Sequence, residues 1–245
     1  MLRRARRRVS SSGADSRRTI DAWARFWRSY HDYRRLPGGD AVSLRFLYPC
    51  LGDDSVETPV EPTYFFQDAW AFERIVAQQP VEHVDVGSHY KFVALLSKVV
   101  PVTMVDLRPL SVELASLRFR EGSILDLPFE DESVPSVSSL CVVEHIGLGR
   151  YGDALDPHGT VRAVAELMRI VAPGGDLYVS VPIDVGSRVH FNAHRVFSEQ
   201  SFIALFEPFE VLERRYIYGN EFGETWEPRA GTGCYRLRRP AGSSS

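Results

Sequence analysis

The sequence has few cysteines and no long apolar run. Cys50, Cys141 and Cys234 lie far apart and form no C-x-x-C pair, so neither a disulfide framework nor a cysteine zinc site is predicted. No apolar stretch approaches the roughly 18 residues of a membrane helix, and no apolar segment of a signal peptide follows the N-terminal arginines. We therefore expect a protein without a transmembrane segment, located in the reducing environment of the cytoplasm.

The sequence also lacks a strong excess of one charge. Its 245 residues are 44% hydrophobic and 25% charged, with a net charge of -3. The length allows one large core, and the charge gives no overall attraction to nucleic acid, which we do not expect as a partner. The exception is residues 1–14, where five arginines occur without an acidic residue. We predict a disordered basic tail there.

Aromatic residues recur at spacings of three and four between Ser16 and Leu36, which predicts an amphipathic helix that ends before Pro37-Gly38. The segment that follows contains three prolines and an acidic pair, so a loop is predicted. Residues 15–63 are therefore expected to form an N-terminal helical cap and loop. The helix would pack on the main domain or on a second copy of the chain in a homodimer.

A β-α-β unit is predicted between residues 84 and 106. A short apolar strand ends at Gly87, and a second strand ends at Asp106, 19 residues later. This is close to the interval at which a carboxylate binds the ribose of a nucleotide. The later glycines of a dinucleotide motif are replaced by His89 and Phe92, which favours a ribose ligand without a pyrophosphate, such as S-adenosylmethionine. An ordinary α/β core with Gly and Asp at its strand ends is the alternative.

Strands and helices continue to alternate after Asp106, with helices expected at 110–117 and 160–171. This rhythm predicts an α/β domain over residues 64–240, a doubly wound, mostly parallel sheet with an antiparallel edge. Ligands are expected at the carboxyl ends of its strands.

Five segments in order resemble the motifs of class I S-adenosylmethionine-dependent methyltransferases over roughly Tyr64 to Leu237. They are Val84–Ser88, Asp106, Gly122–Phe129, Val143–Ile146 and Leu167–Gly175. The resemblance implies a Rossmann-like fold and an enzyme that transfers a methyl group to oxygen or nitrogen of a polar small molecule or glycan. The stretches Glu144–Asp153 and Phe191–Phe197 further resemble an uncharacterised branch, often associated with surface-polysaccharide genes, for which no substrate is established.

The resemblance also implies roles for individual residues. Asp85, Gly87 and Ser88 would line the methionine end of the cofactor, and Asp106 would hold its ribose. Ser123 and Ile124 fall where the family binds adenine. Asp126 is a nearby substitute for the aspartate that is common at the position of Ser123, and Cys141 completes the predicted cofactor site.

Methyl transfer to a hydroxyl requires a general base near the loops after strands four and five. The candidates are Glu144, His145 and His194. Charged and polar residues of the same rim are candidates for acceptor binding, namely Arg150, Tyr151, Asp153, Asn192 and Arg195. No spacing enforces a metal site, and none is predicted. A non-catalytic cofactor-binding or scaffold protein with this fold, or another α/β enzyme that acts on a nucleoside-like ligand, remains an alternative.

Overall fold

The structure is a computed structural model that describes the backbone of residues 6–242 and the side chains of residues 16–242. The chain divides into two compact units, Met1–Val60 and Glu61–Ser245. In the described part of the chain, no helix is both long enough and apolar enough to cross a membrane.

The N-terminal unit is built on one long helix, α1 (Arg6–Arg35), followed by single 3-10 turns at Gly39–Ala41 and Leu44–Phe46. Between the helix and the first turn, Gly38 has a φ of 83°, a conformation that favours glycine. The helix includes residues 6–14 of the segment expected to be a disordered basic tail, and that expectation stays a prediction. Residues 1–5 lie outside the described part. That this unit is a cap or mediates a dimer stays a prediction.

The C-terminal unit contains an eight-stranded mixed sheet in the order β3-β2-β1-β4-β5-β10-β8-β9, which confirms the predicted fold class. Strands β1 to β5 are parallel, and β10 lies antiparallel between β5 and β8. A separate hairpin is formed by β6 and β7. The strands are β1 His83–Val86, β2 Val102–Asp106, β3 Leu117–Glu121, β4 Val134–Leu140, β5 Val171–Ile183, β6 Arg188–His190, β7 His194–Val196, β8 Glu210–Tyr218, β9 Glu221–Gly223 and β10 Gly231–Arg238.

Helices cover both faces of the sheet and bury two hydrophobic clusters. One cluster contains side chains of α2 (Pro62–Gln78) and α3 (Tyr90–Leu96), and the other contains side chains of α4 (Gly159–Ile170) and α5 (Glu199–Ile203). Successive residues of a strand point to opposite faces, so Val84 and Val86 join the α4 cluster. His83 and Asp85, which are also buried, face the α2 and α3 side.

The connection from β2 to β3 differs from the prediction, because residues 107–116 form turns and no helix. Eight residues are too few to hold a helix without a buried face. Val112 is exposed, and Leu117 pairs with Val102 as the first residue of β3. Residues Pro173 to Gly175 belong to β5. The N–H of Gly174 donates to the carbonyl of Arg239 at 3.0 Å.

Candidate functional site

A cavity of about 490 Å³ opens at the carboxyl ends of β1, β2 and β4. The strand order reverses between β1 and β4, and this is where ligands bind in doubly wound sheets. The volume is in the range of small-molecule sites. Eight of the residues predicted from the sequence line the cavity: Gly87, Ser88, Asp106, Ile124, Cys141, His145, Tyr151 and Asp153.

The turn after β1 forms one wall of the cavity. Gly87 has a φ of 73°, and a β-carbon at this position would lie 3.0 Å from Cγ1 of Val142. Its N–H donates to the carbonyl of Val105 at 2.9 Å. The absence of a side chain therefore allows the turn to approach the loop after β4 and exposes backbone to the cavity.

Asp85 lies behind this wall and does not line the cavity. It is fully buried, where it accepts hydrogen bonds from the N–H of Ser88 (3.1 Å) and the hydroxyl of Ser138 (2.6 Å). Burial raises the pKa of Asp85 to about 6, and its hydrogen bonds with Ser138 and Ser88 oppose this rise. The carboxylate therefore positions the turn. This geometry does not favour the predicted direct contact of Asp85 with a cofactor.

The buried polar contacts continue from Ser138 to the start of β1. The two ring nitrogens of His83 lie 2.8 Å from the hydroxyl of Ser136 and 2.9 Å from that of Ser138. Burial lowers the pKa of His83 to about 3, so the ring is neutral. The side chains His83, Ser136, Ser138 and Asp85 therefore form a hydrogen-bonded chain beneath the cavity in which every partner is satisfied.

Asp106 ends β2 and lines the cavity at the side predicted to hold a ribose. One carboxylate oxygen accepts the N–H of Arg108 at 2.9 Å. The guanidinium Nε of Arg108 lies 3.7 Å from the same oxygen, beyond hydrogen-bonding distance. The carboxylate therefore retains lone pairs for hydroxyl donors.

The segment after β3 brings Gly122 and Ile124 to the cavity, but not Ser123 or Asp126. The hydroxyl of Ser123 accepts the N–H of Leu125 at 3.1 Å and closes a turn, while Asp126 is exposed. The predicted contacts of these two polar side chains with a cofactor are therefore not supported. Ile124, which is buried and apolar, is the residue of this segment that could contact an adenine ring.

Cys141 follows β4 and has a φ of 53°, which is unusual for a residue other than glycine. Its thiol donates to Oε1 of Gln67 at 3.2 Å, and the hydroxyl of Ser180 donates to the same oxygen at 2.7 Å. Burial raises the pKa of the Cys141 thiol well above its usual value, so it is a neutral donor. Such strained residues are common at functional sites.

Glu144 and His145 follow in a 3-10 turn (Val143–His145). Nδ1 of His145 lies 2.6 Å from the carbonyl of Ala193, which requires a proton on Nδ1. Its Nε2 faces Oε1 of Glu144 at 3.6 Å. Burial lowers the pKa of His145, so the neutral ring presents its Nε2 lone pair to Glu144.

The carboxyl group of Glu144 is almost fully buried, and its Oε2 has no hydrogen-bond partner among the described side chains and backbone. Burial raises the pKa of Glu144 to about 8, although its own backbone, Cys141 and Arg150 act in the opposite direction. The group is therefore protonated at neutral pH. Glu144 does not line the cavity itself, but its neighbours Cys141 and His145 both do, so a buried acid with a raised pKa lies beside the cavity.

Tyr151 and Asp153 form the outer rim. The carboxylate of Asp153 accepts the N–H groups of Gly147 (2.6 Å) and Tyr151 (3.3 Å), so it shapes the loop. Arg150 is exposed and does not line the cavity itself, but its guanidinium lies over the ring of Tyr151, 5.1 Å from the ring centre.

Arg195 does not reach the cavity, and the prediction that it binds substrate is corrected here. Its guanidinium donates to the carbonyls of Asp156 (3.1 Å), Pro157 (3.3 Å) and Ile146, and to the hydroxyl of Thr160 (3.2 Å). Only 7% of the residue is exposed. It fixes the loop after β4, and both of its terminal nitrogens are used there.

Asn192 and His194 belong to the β6–β7 hairpin and also lie outside the cavity lining. Asn192 has a φ of 59° at the hairpin turn, a conformation that asparagine tolerates. The ring of His194 lies 6.4 Å from that of His145, centre to centre, so His194 contacts the site through His145. The predicted roles of these two residues stay predictions.

The lining residues that were not predicted as site residues include four with aromatic or guanidinium side chains: Tyr64, His89, Tyr90 and Arg108. Tyr64 lies on α2, about one turn before Gln67, whose side-chain oxygen accepts the thiol of Cys141. Arg108 lies two residues after Asp106 and could have been found by extending that predicted binding residue to its neighbours in the same turn.

Comparison with models of protein families finds a match for part of the chain only. A family model described as a Caenorhabditis protein of unknown function (DUF268) matches residues 129–223, which is less than half of the chain. No curated protein matches the sequence.

Comparison with solved structures is more informative. The N-methyltransferase NodS from Bradyrhizobium japonicum has a TM-score of 0.54 and 16% identity, covering 77% of this chain and 99% of that one. A Burkholderia thailandensis 1,6-didemethyltoxoflavin-N1-methyltransferase with S-adenosylhomocysteine bound has a TM-score of 0.50 and 16% identity, covering 76% and 93%. The chain has the class I methyltransferase fold. The [4+2]-cyclase SpnF is also similar, with a TM-score of 0.52 and 14% identity, covering 71% and 81%.

The residues of the cavity fit the cofactor of methyltransferases. The turn at Gly87 presents backbone rather than a side chain, Asp106 offers a carboxylate at the opposite strand end, and Ile124 gives an apolar contact. Among residues 16–242, no three His, Cys, Asp or Glu side chains are grouped so that they could hold a metal ion.

Proposed function

We propose that the protein is an S-adenosylmethionine-dependent methyltransferase that methylates oxygen or nitrogen of a polar small molecule or glycan. The observation that carries the proposal is that Gly87, Asp106, Ile124 and Cys141 line one cavity, although they come from four separate strand ends. In a methyltransferase fold, this combination suits a ligand with a methionine part, a ribose and an adenine.

S-adenosylmethionine, when bound, supplies a methyl group on a positively charged sulfur, which is already reactive. The residues of this chain need only bind both reactants, exclude water and remove the acceptor's proton. Asp106 would accept the ribose hydroxyls, and Gly87 with Ser88 would place backbone against the methionine part. Ile124 would contact the adenine.

Glu144 is the strongest candidate for the base. Its carboxyl group is buried beside two cavity residues, and one oxygen lacks a partner in the described residues. His145 is assigned a positioning role, because Nδ1 is held by Ala193 and Nε2 faces Glu144. With a pKa of about 8, Glu144 would be increasingly available as a base from pH 6 to 8, so turnover should increase over this range.

The polar nature of the proposed acceptor rests on the rim. Tyr151, His145, Asp153 and Arg108 line the cavity beside Cys141, and Arg150 lies against Tyr151. These side chains offer both donors and acceptors of hydrogen bonds near the proposed base. The cytoplasmic location and a homodimer through the N-terminal helix stay predictions.

Calorimetric titration of the full chain with S-adenosylmethionine and S-adenosylhomocysteine tests the proposal. We expect micromolar binding of both, and about tenfold weaker binding by Asp106→Asn, since a charge-assisted hydrogen bond is lost. Asp126→Asn is the matched control, because this exposed carboxylate of the next strand end lies outside the cavity lining and its removal should leave the affinity unchanged.

Absence of binding to folded protein that carries no retained ligand would refute the proposal. A non-catalytic cofactor-binding or scaffold protein is the second candidate. The similarity to SpnF shows that this fold is not confined to methyl transfer, because a protein whose title names a cyclase has it. Binding of both ligands without methyl transfer to any compound of a broad acceptor screen would favour this second candidate.

A further inference from the structure

Two arginines contact the same aromatic ring at the cavity mouth. Cζ of Arg108 lies 4.9 Å from the centre of the Tyr151 ring, and Cζ of Arg150 lies 5.1 Å from it. Since each lies about 5 Å from one point, the two positive groups are within about 10 Å of each other. Tyr151 and Arg108 both line the cavity, so this pair of charges adjoins the place where an acceptor would enter.

Neither guanidinium is hydrogen-bonded to a carboxylate among the described side chains. The nearest carboxylate oxygen to Arg108 is 3.7 Å away on Asp106, and Arg150 donates to the carbonyl of Ala193 at 3.2 Å. Some other exposed arginines of the same unit do have such partners; Arg162, for example, contacts Asp156 at 3.0 Å.

Neither of the two carboxylates closest in sequence accepts a hydrogen bond from a guanidinium. Asp153 accepts N–H groups of its own loop, and Asp106 accepts the backbone N–H of Arg108, while its ion-pair contact with Nε of Arg108 is 3.7 Å long. Among the described residues, the only guanidinium nitrogen of this pair that donates to a carbonyl or carboxylate is the one of Arg150 that bonds Ala193. The other N–H groups match the geometry of phosphate and carboxylate oxygens.

We propose that Arg108 and Arg150, held against Tyr151, form a binding site for an oxyanion of the acceptor, a phosphate or a carboxylate. This rests on the proposed function, because it names the class of acceptor for the same cavity. The acceptor is then an anionic molecule whose charged group stays at the mouth, while its nucleophile reaches the region of Cys141 and Glu144.

The test uses three sugars that share one skeleton: glucose, glucose 1-phosphate and glucuronate. Each is titrated calorimetrically into the full chain saturated with S-adenosylhomocysteine. We expect binding of at least one anionic sugar, weakened by added salt, and no binding of glucose. Tighter binding of glucose 1-phosphate identifies a phosphate site, and tighter binding of glucuronate identifies a carboxylate site.

Arg108→Gln and Arg150→Gln should each weaken binding of the anionic sugar about tenfold, as expected for a lost charge-assisted contact. Arg162→Gln, which removes an exposed arginine already paired with Asp156, is the matched control and should have no effect. Equal binding of all three sugars, no binding of either anion, or binding unchanged in both variants would overturn the proposal. S-adenosylhomocysteine is titrated first without sugar, so failure of the proposed function is seen separately as loss of that first binding step.

Discussion

Replacing Glu144 with glutamine should make the stability of the protein less dependent on pH. The ordinary pKa of the side chain is 4.5, and burial raises it to about 8 in the folded protein. Between these values the unfolded chain loses the proton while the folded chain keeps it. The wild-type free energy of unfolding therefore falls as pH rises, by about 1.4 kcal/mol per pH unit from this group alone.

The contribution is fully present below pH 4.5 and is lost as pH rises to about 8. Glutamine has a similar shape but no proton to lose. The difference in unfolding free energy, Glu144→Gln minus wild type, should thus increase by about 2.7 kcal/mol between pH 5.5 and 7.5. Any cost of burying the amide itself is independent of pH and does not enter this slope.

Urea unfolding at pH 5.5, 6.5 and 7.5 measures the difference directly. Glu113→Gln is the control, because Glu113 is exposed in the β2–β3 connection. The free energy of unfolding of Glu113→Gln should differ from that of wild type by no more than about 0.5 kcal/mol at each pH. Parallel pH profiles for wild type and Glu144→Gln would show that Glu144 is ionised in the folded protein, and the argument that it stores a proton beside the cavity would be wrong.

Three other substitutions test separate parts of the site. Gly87→Ala should lower the free energy of unfolding by about 1–2 kcal/mol, measured with urea, because alanine is strained at a φ of 73° and its β-carbon meets Val142 at 3.0 Å. Arg195→Met should lower it by more than about 2 kcal/mol, since buried carbonyls lose their donor. His194→Ala should leave calorimetric S-adenosylhomocysteine affinity unchanged, because this ring is outside the cavity lining. A stable Arg195→Met variant, or a tenfold loss of affinity in His194→Ala, would contradict these assignments.

Part of the cofactor side of the cavity could be predicted from the sequence because the signals there are local. Gly87 and Asp106 each end an apolar strand of one β-α-β unit, and parallel strands bring their carboxyl ends to one edge of the sheet. Cys141, named from the family resemblance, follows β4 and also lines the cavity. It also predicted the sheet and its antiparallel edge, which the structure confirms.

The acceptor side could not be predicted equally well, because it depends on contacts distant in sequence. Arg195 was assigned to substrate from its charge, but its donors are used by carbonyls about forty residues earlier in the chain. Nothing in the local pattern around Arg195 indicates this burial. The β6–β7 hairpin was also missed, since each of its strands has only three residues.

Ser123 and Asp126 show a different limit. The resemblance placed polar contacts to adenine there, and the segment does reach the cavity, but with Gly122 and Ile124. Ser123 instead satisfies the backbone of its own turn. A motif can therefore locate the segment correctly and still assign the wrong side chain, because serine and aspartate often bond to their own backbone.

The difference between the cofactor side and the acceptor side of the cavity also indicates which residues determine the activity of this chain. The fold is shared by methyltransferases and by a protein whose title names a cyclase, so the cofactor side cannot distinguish between activities. The distinguishing chemistry lies in the loops after β2 and β4, which carry Arg108, Glu144 and Tyr151. A buried acid with one oxygen that lacks a hydrogen-bond partner among the described residues is costly to fold. Such a group is expected where proton transfer repays the cost, which is the role proposed for Glu144.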